Sequence, residues 1–201
     1  MKPFQSYLQL CCFLLLLSCS KAQETISFPP LEFKCNPDLI DSVRSIDLHS
    51  LSFATPKGFI ALPDSVIKQV QASLQDKKED DLPQFLPEYA YINPEDPSSI
   101  IFVSSIGIDS AATETFIEFI RRYDTNYQSF FPGSETSTFL VNDIRCWQGR
   151  RIGLNSVHFR LLLDRGTYSL PYQIDFTFPI KIDTDIGRII ESVIGSIQNK
   201  K

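Results

Sequence analysis

The amino-acid sequence predicts an α+β domain: a single antiparallel sheet flanked by helices. Three observations carry that expectation. Residues 112–130 repeat apolar side chains at three- and four-residue steps, the period of an amphipathic helix. Residues 168–182 place an apolar side chain at every even position, the period of a half-buried strand. The other apolar runs are short and separated by turn-forming residues, which favours hairpins over crossovers. Hydrophobic residues make up 43% of the chain and aromatics 12%, enough to build a core and too much for global disorder. Neither an internal repeat nor a second core is evident, so one domain is expected.

The elements follow in order. Asn36 is a good N-cap, Pro37 suits the first helical position, and Leu39, Ile40 and Val43 share a face, predicting a helix over 37–45. Residues 46–62 read as a hairpin: one strand with Ile46, Leu48, Leu51 and Phe53, a turn at Pro56-Lys57-Gly58, and a second strand from Phe59 to Leu62. Asp64 then caps a helix whose stripe is Val66, Ile67, Val70 and Leu74. Residues 76–97 are acidic and carry four prolines, so they are expected as loop with a short strand at 89–92. The run SSIIFVSSIGI, 98–108, is a central strand buried on both sides. Asp109 or Ser110 opens the long helix, whose stripe is Ala112, Phe116, Phe119, Ile120, Tyr123, Tyr127 and Phe130, and Pro132-Gly133 closes it. Three strands follow near 137–147, 151–163 and 167–181, with reversals at Gln148-Gly149 and Arg165-Gly166. Pro171 and Pro179 cannot donate to a ladder and predict an edge or bulge there. Asp183 or Thr184 caps a final helix with Ile186, Ile189, Ile190, Val193 and Ile197 on one face.

The first 18 residues, MKPFQSYLQLCCFLLLLS, couple a basic start to an apolar run from Leu8 to Leu17. That run is half of the roughly 20 residues a membrane span needs and fits the core of a secretory signal. Leu16-Leu17-Ser18-Cys19 resembles the lipobox of bacterial lipoproteins. The resemblance implies that residues 1–18, with Cys11 and Cys12, are removed and that Cys19 receives the lipid. Ser20 rather than aspartate after that cysteine implies the outer membrane, with the domain taken as facing the periplasm. The alternative is an ordinary secretory signal cut near Ala22 with Cys19 incidental. Several acyl chains would hold firmly, each buried CH₂ contributing ~0.8 kcal/mol. The expected organisation is a signal peptide at 1–18, a tether at 19–34 and one domain at 35–201. Losing residues 1–18 removes one lysine and no acid, moving the net charge from −5 to −6, which argues against nucleic acid as a partner.

Cys35 and Cys146 remain as candidates for a disulfide, which an exported compartment permits; two separate thiols are the alternative. KGFIALPDS early, YQIDFTFPI late and a closing helix ending IIESVIGSI together resemble PsbP/DcrB-like domains. The resemblance implies an α/β/α sandwich whose members bind or stabilise partners and share no catalytic motif.

Candidate chemistry is sparse. Ser65-Val-Ile-Lys68 has the S-x-x-K spacing that in penicillin-recognising enzymes sets a lysine one helical turn from the serine it activates, but the chain has no KTG and is short for that fold, so a capped helix with an exposed lysine is expected. His49 and His158 lack metal-ligand spacing. Asp183-Thr184-Asp185 and Glu79-Asp80-Asp81 lack the alternating ligands of a calcium loop. No cofactor is expected. Trp147, the sole tryptophan, stands among Arg145, Arg150 and Arg151 and is a candidate partner surface, because tryptophan and arginine concentrate at interaction hot spots; a buried tryptophan with turn charges is the alternative. The functional expectation is a non-enzymatic, lipid-anchored cell-envelope protein that binds or stabilises a protein partner. The alternatives are a small hydrolase or small-molecule-binding domain with a pocket between sheet and helices, around His158 or His49, and a toxin-immunity lipoprotein.

Overall fold

The computed structural model describes residues 26–48, 51–75, 83–106, 114–166, 171–180 and 185–199. Among them a seven-stranded antiparallel sheet dominates, built from β3 (Ile60–Ala61), β4 (Phe85–Asn93), β5 (Asp96–Ile106), β6 (Glu135–Val141), β7 (Ile144–Ile152), β8 (Ser156–Leu163) and β9 (Tyr172–Pro179) in the order 3-4-5-9-8-7-6. A second sheet of three strands pairs β1 (Ile40–Leu48), β2 (Leu51–Pro56) and β10 (Gln198–Asn199). Three helices complete the described chain: α1 (Asp64–Gln75), α2 (Phe116–Phe130) and α3 (Asp185–Gly195). The α+β class and the antiparallel main sheet hold, and the small second sheet is an addition.

Strand alternation decides what covers each face. Ile174, Phe176 and Phe178 on β9, Leu161 and Leu163 on β8, and Ile101 and Val103 on β5 form one buried cluster with Phe53 of β2 and Ile190, Val193 and Ile194 of α3. The opposite face supplies Trp147, Leu162 and Ile106 to a second cluster with Phe116, Phe119, Ile120, Tyr123 and Tyr127 of α2. The sheet is thus covered on both sides, and the odd positions of β9 do not simply meet water: Gln173 is buried. Helix α2 starts as a cap should. The Thr115 hydroxyl accepts from the Glu118 N–H while the Glu118 carboxylate accepts from the Thr115 N–H. The helix thus opens at Thr115 rather than at the expected Asp109 or Ser110, which lie outside the described residues.

Four expectations are corrected. Residues 40–48 form a strand, not a helix: Asn36 to Leu39 make only a turn, and the residues after it pair with β2. Pro56-Lys57-Gly58 does not fold the chain back onto β2; it hands it to β3, which pairs with β4. The region 83–97 is a hairpin rather than loop, with Pro87 at a register shift where its missing N–H is tolerated. The run 137–147 is two strands, broken at Asn142-Asp143, while Gln148-Gly149 lies inside β7. Asn142 and Asp143 have φ of 47° and 65°, the pair of left-handed residues that tight hairpins require. Asn142 also donates Nδ2–H to the Ile197 carbonyl at 2.7 Å, tying that turn to the end of α3.

Residues 26–34 are not a free tether. β6 is the outermost strand of its sheet, and Leu31 N–H donates to the Leu140 carbonyl while Leu140 N–H donates to the Pro29 carbonyl. The entering segment thereby runs parallel to β6 and closes its edge.

Candidate functional site

The α2-facing side of the sheet can be read as rows of residues lying opposite one another. One row runs Ser104, Gln173, Leu162, Trp147; the next Phe102, Asp175, Arg160, Gly149; the next Ile100, Thr177, His158, Arg151. Helix α2 lies along β7 and covers the right-hand members of the first two rows. Tyr123 and Tyr127 each meet the Trp147 ring edge-on at 5.1 Å, and Asp124 accepts the indole N–H at 2.7 Å. Gly149 makes the approach possible. A Cβ there would stand 2.6 Å from the Trp147 ring and 2.8 Å from the Tyr127 ring.

The uncovered parts of these rows hold the most concentrated polar chemistry among the described residues. Arg160 donates from Nε to Asp175 Oδ1 at 2.7 Å, from Nη2 to Oδ2 at 3.3 Å, and from Nη1 to the Tyr123 hydroxyl at 2.8 Å. Gln173 adds an amide donor to Asp175 Oδ2. Burial works against the Arg160 charge, but Asp175 and Tyr123 outweigh it, and the guanidinium is held more firmly protonated than usual. Burial pushes the Tyr123 phenol up to about 12, so it stays a neutral hydroxyl at any physiological pH. Arg160 and Asp175 remain partly exposed, so the pair is a fixed feature of the sheet face rather than a sealed one.

Beside it stands His158. Its Nε2 is 2.8 Å from the Ser156 hydroxyl and its Nδ1 is 3.1 Å from the Thr177 hydroxyl. Partial burial and then Arg151 lower its pKa below 6.5, so the ring is neutral at pH 7. A Cβ on Gly153 would lie 3.4 Å from Ser156 Oγ, so the glycine leaves the hydroxyl open on that side.

The residues singled out in the sequence are placed as follows. Trp147 is only 1% exposed and is no surface anchor: its ring is the floor under α2. Arg145 pairs with Asp164 at 2.6 Å, Arg150 with Glu135 at 2.8 Å, and Arg151 stacks 4.4 Å over Phe131. The four therefore do not form one patch, because alternation along β7 sends Arg150 to the opposite face from Arg145, Trp147 and Arg151. Cys35 and Cys146 are both free, Cys35 at the surface and Cys146 buried in the core beside α3, so the candidate disulfide is absent. Burial holds the Cys146 thiol well above its usual pKa. Ser65 and Lys68 are exposed on α1. Cys19, His49 and the Glu79–Asp81 run lie outside the described residues, as do Asp183 and Thr184. The described histidines, cysteines and carboxylates nowhere gather three together as a metal site would need. No helix of the described residues is long and apolar enough to cross a membrane.

Sequence reasoning missed the Arg160–Asp175–Tyr123 cluster. Arg160 and Asp175 sit on adjacent strands and Tyr123 on a helix, so their meeting depends on register that no local spacing encodes. The alternation of β8 did offer a hint, because a charged residue flanked by buried positions must find a partner.

No family model matches the chain, and no curated protein does. Solved structures do resemble it. A Bacteroides thetaiotaomicron protein is 13% identical with a TM-score of 0.40, over 75% of this chain, which spans 45% of that one. Cyanobacterial PsbP (CyanoP) from Synechocystis is 9% identical with a TM-score of 0.45, over 78% of this chain and 91% of that one. The Ran-binding protein Mog1p of Saccharomyces cerevisiae is 11% identical with a TM-score of 0.41, over 77% and 93%. Likenesses this distant transfer no site residue.

Proposed function

We propose that this chain is a lipid-anchored, non-enzymatic protein of the bacterial cell envelope, held by Cys19, that binds or stabilises a protein partner on the open part of its sheet face. The anchor rests on the LLSC sequence. The observation that carries partner binding is the preset geometry of Arg160, partly exposed yet fixed by three hydrogen bonds beside half-buried Phe102, Thr177 and His158. An arginine whose rotamer is already ordered loses little entropy when a partner covers it, and arginine and aromatics dominate interaction hot spots. The test is co-purification from solubilised envelopes with wild type and with Thr177→Arg, which adds bulk in the middle of that face and removes neither member of the Arg160–Asp175 pair. A reproducible partner lost with Thr177→Arg is expected. Identical partner sets from both proteins would refute the surface. For the anchor, Cys19→Ala is expected to abolish detergent-phase partitioning.

A second reading, a small hydrolase, draws on the Ser156–His158 contact, which has the spacing of a nucleophile and its base. Against it, the group on Nδ1 is the hydroxyl of Thr177 rather than a carboxylate, so no carboxylate hydrogen-bonds an imidazolium, and burial and Arg151 outweigh the pull of Asp175 towards one. Labelling of Ser156 by a fluorophosphonate, lost in His158→Gln, would favour this reading.

A further inference from the structure

The large apolar side chains left exposed are not scattered evenly. β6 begins at Glu135, β7 ends at Ile152, the turn 153–155 follows, β9 ends at Pro179, and α2, running alongside β7, ends at Phe130; antiparallel pairing brings all of these to one end of the sheet. At that end Leu154 is 98% exposed, Ile152 63%, Ile180 46% and Phe130 42%. The Ile180 N–H donates to the Asn155 carbonyl at 2.9 Å, so β9 and the hairpin tip are one surface. Arg150 and Arg151 lie just behind the tip, and the nearby Glu135 is paired with Arg150. Among the other acids, Glu95 and Asp96 sit across the sheet at the β4–β5 turn, and Asp185 opens α3 five residues after Ile180.

The path of the entering chain says what this end faces. Residues 27–31 run parallel to β6, with Ser27 near Thr138 and Leu31 near Leu140, so the chain enters from the Glu135 end. Cys19 precedes Ile26 by seven residues, a reach of about 25 Å at most. We infer that the 152–155 hairpin tip, with Ile180 and Phe130, rests in the lipid headgroup region of the membrane that the Cys19 lipid enters, so that the body is oriented as well as tethered. The inference rests on the proposed anchor. It also leaves the Arg160 face directed sideways, along the membrane plane, where a partner can reach it. Apolar side chains at the apex with arginines behind them match the order in which acyl chains and phosphates are met at a bilayer surface.

The experiment uses the mature lipidated protein in vesicles of phosphatidylethanolamine and phosphatidylglycerol, with Cys35→Ser so that an environment-sensitive fluorophore attaches at one introduced thiol. Leu154→Cys and, towards the opposite end of the sheet, Leu31→Cys are labelled in turn; both positions are exposed, so folding is not at stake. The expected result is a blue-shifted emission at position 154, quenched by brominated acyl chains several-fold more than at position 31. Vesicle-bound protein with equal, water-like emission at both positions overturns the orientation while leaving the anchor in place. Protein that fails to float with the vesicles removes the anchor and this inference together. A position-154 label protected in native membranes but not in pure lipid assigns the tip to a protein and overturns it as well.

Discussion

The two faces of the main sheet bury comparable aromatic residues by different means. Towards α3 the sheet presents Ile101, Val103, Leu161, Leu163, Ile174, Phe176 and Phe178, a surface held by shape and area alone. Towards α2 strands β7, β8 and β9 present Trp147, Arg160, Gln173 and Asp175, where the indole N–H is tied to Asp124 and the guanidinium to Asp175 and the Tyr123 phenol. The first face can be repacked by any residues of similar volume. The second tolerates volume changes poorly and chemistry changes worse, because each removed partner leaves a desolvated polar group behind. Stability is therefore general on one side and specific on the other.

The largest expected effects test that contrast directly. Phe176→Ala and Trp147→Ala should each cost about 3–5 kcal/mol in urea unfolding, since both empty a fully buried site. The sharper comparison makes a smaller cut at each site. Phe176→Leu should cost about 1–2 kcal/mol, well below its alanine change. Trp147→Phe should cost more, because Asp124 loses its donor and Tyr123 and Tyr127 lose the edge they pack against. Equal losses in the two conservative variants would show that both faces are merely hydrophobic.

A smaller effect is expected where the polar face opens to water. Asp175→Asn should destabilise by about 1–3 kcal/mol, less than for a sealed ion pair because solvent screens part of the loss. Adding Arg160→Met to it should cost less than the sum of the two single changes, since the orphaned charge is what makes each single change expensive. Additive losses in that double-mutant cycle would mean the pair is incidental to the face.

The same contrast explains how much could be read from the sequence. The apolar patterns are legible on both sides of the sheet: the even positions of β9 and the stripes of α1, α2 and α3 follow from period alone. The polar face is not, because Arg160 meets Asp175 only once register is set, and register comes from pairing rather than from spacing. Residues 40–48 misled because a turn at Asn36–Leu39 carries the same capping residues as a helix start, and pairing with β2 then overrode local preference. Asn142-Asp143 is a weak turn signal because neither residue is glycine, although both tolerate the left-handed conformation that the turn uses. Gln148-Gly149 carries the signature of a reversal and so sets Trp147 beside a turn, when the glycine serves to admit the Tyr127 ring.

The smallest expected effect concerns the margin where the polar face meets solvent, at His158. Ser156, Thr177, Arg151, Arg160 and Asp175 are the groups that act on its ring. Burial first and Arg151 next depress its folded pKa below the ordinary 6.5; Asp175 pulls the other way, and Arg160 adds the smallest push downward. Near and below pH 6.5 the unfolded chain then binds more protons than the folded one, so this residue's contribution is present at neutral pH and lost as pH falls through 6.5. The ring is partly solvent-accessible, which keeps the effect small. His158→Gln should accordingly flatten the acid limb of the stability curve slightly while leaving stability above neutrality little changed. A variant that loses as much stability at pH 8 as at pH 5.5 would place His158 among the packing residues, and the contrast between the faces would end at Arg160.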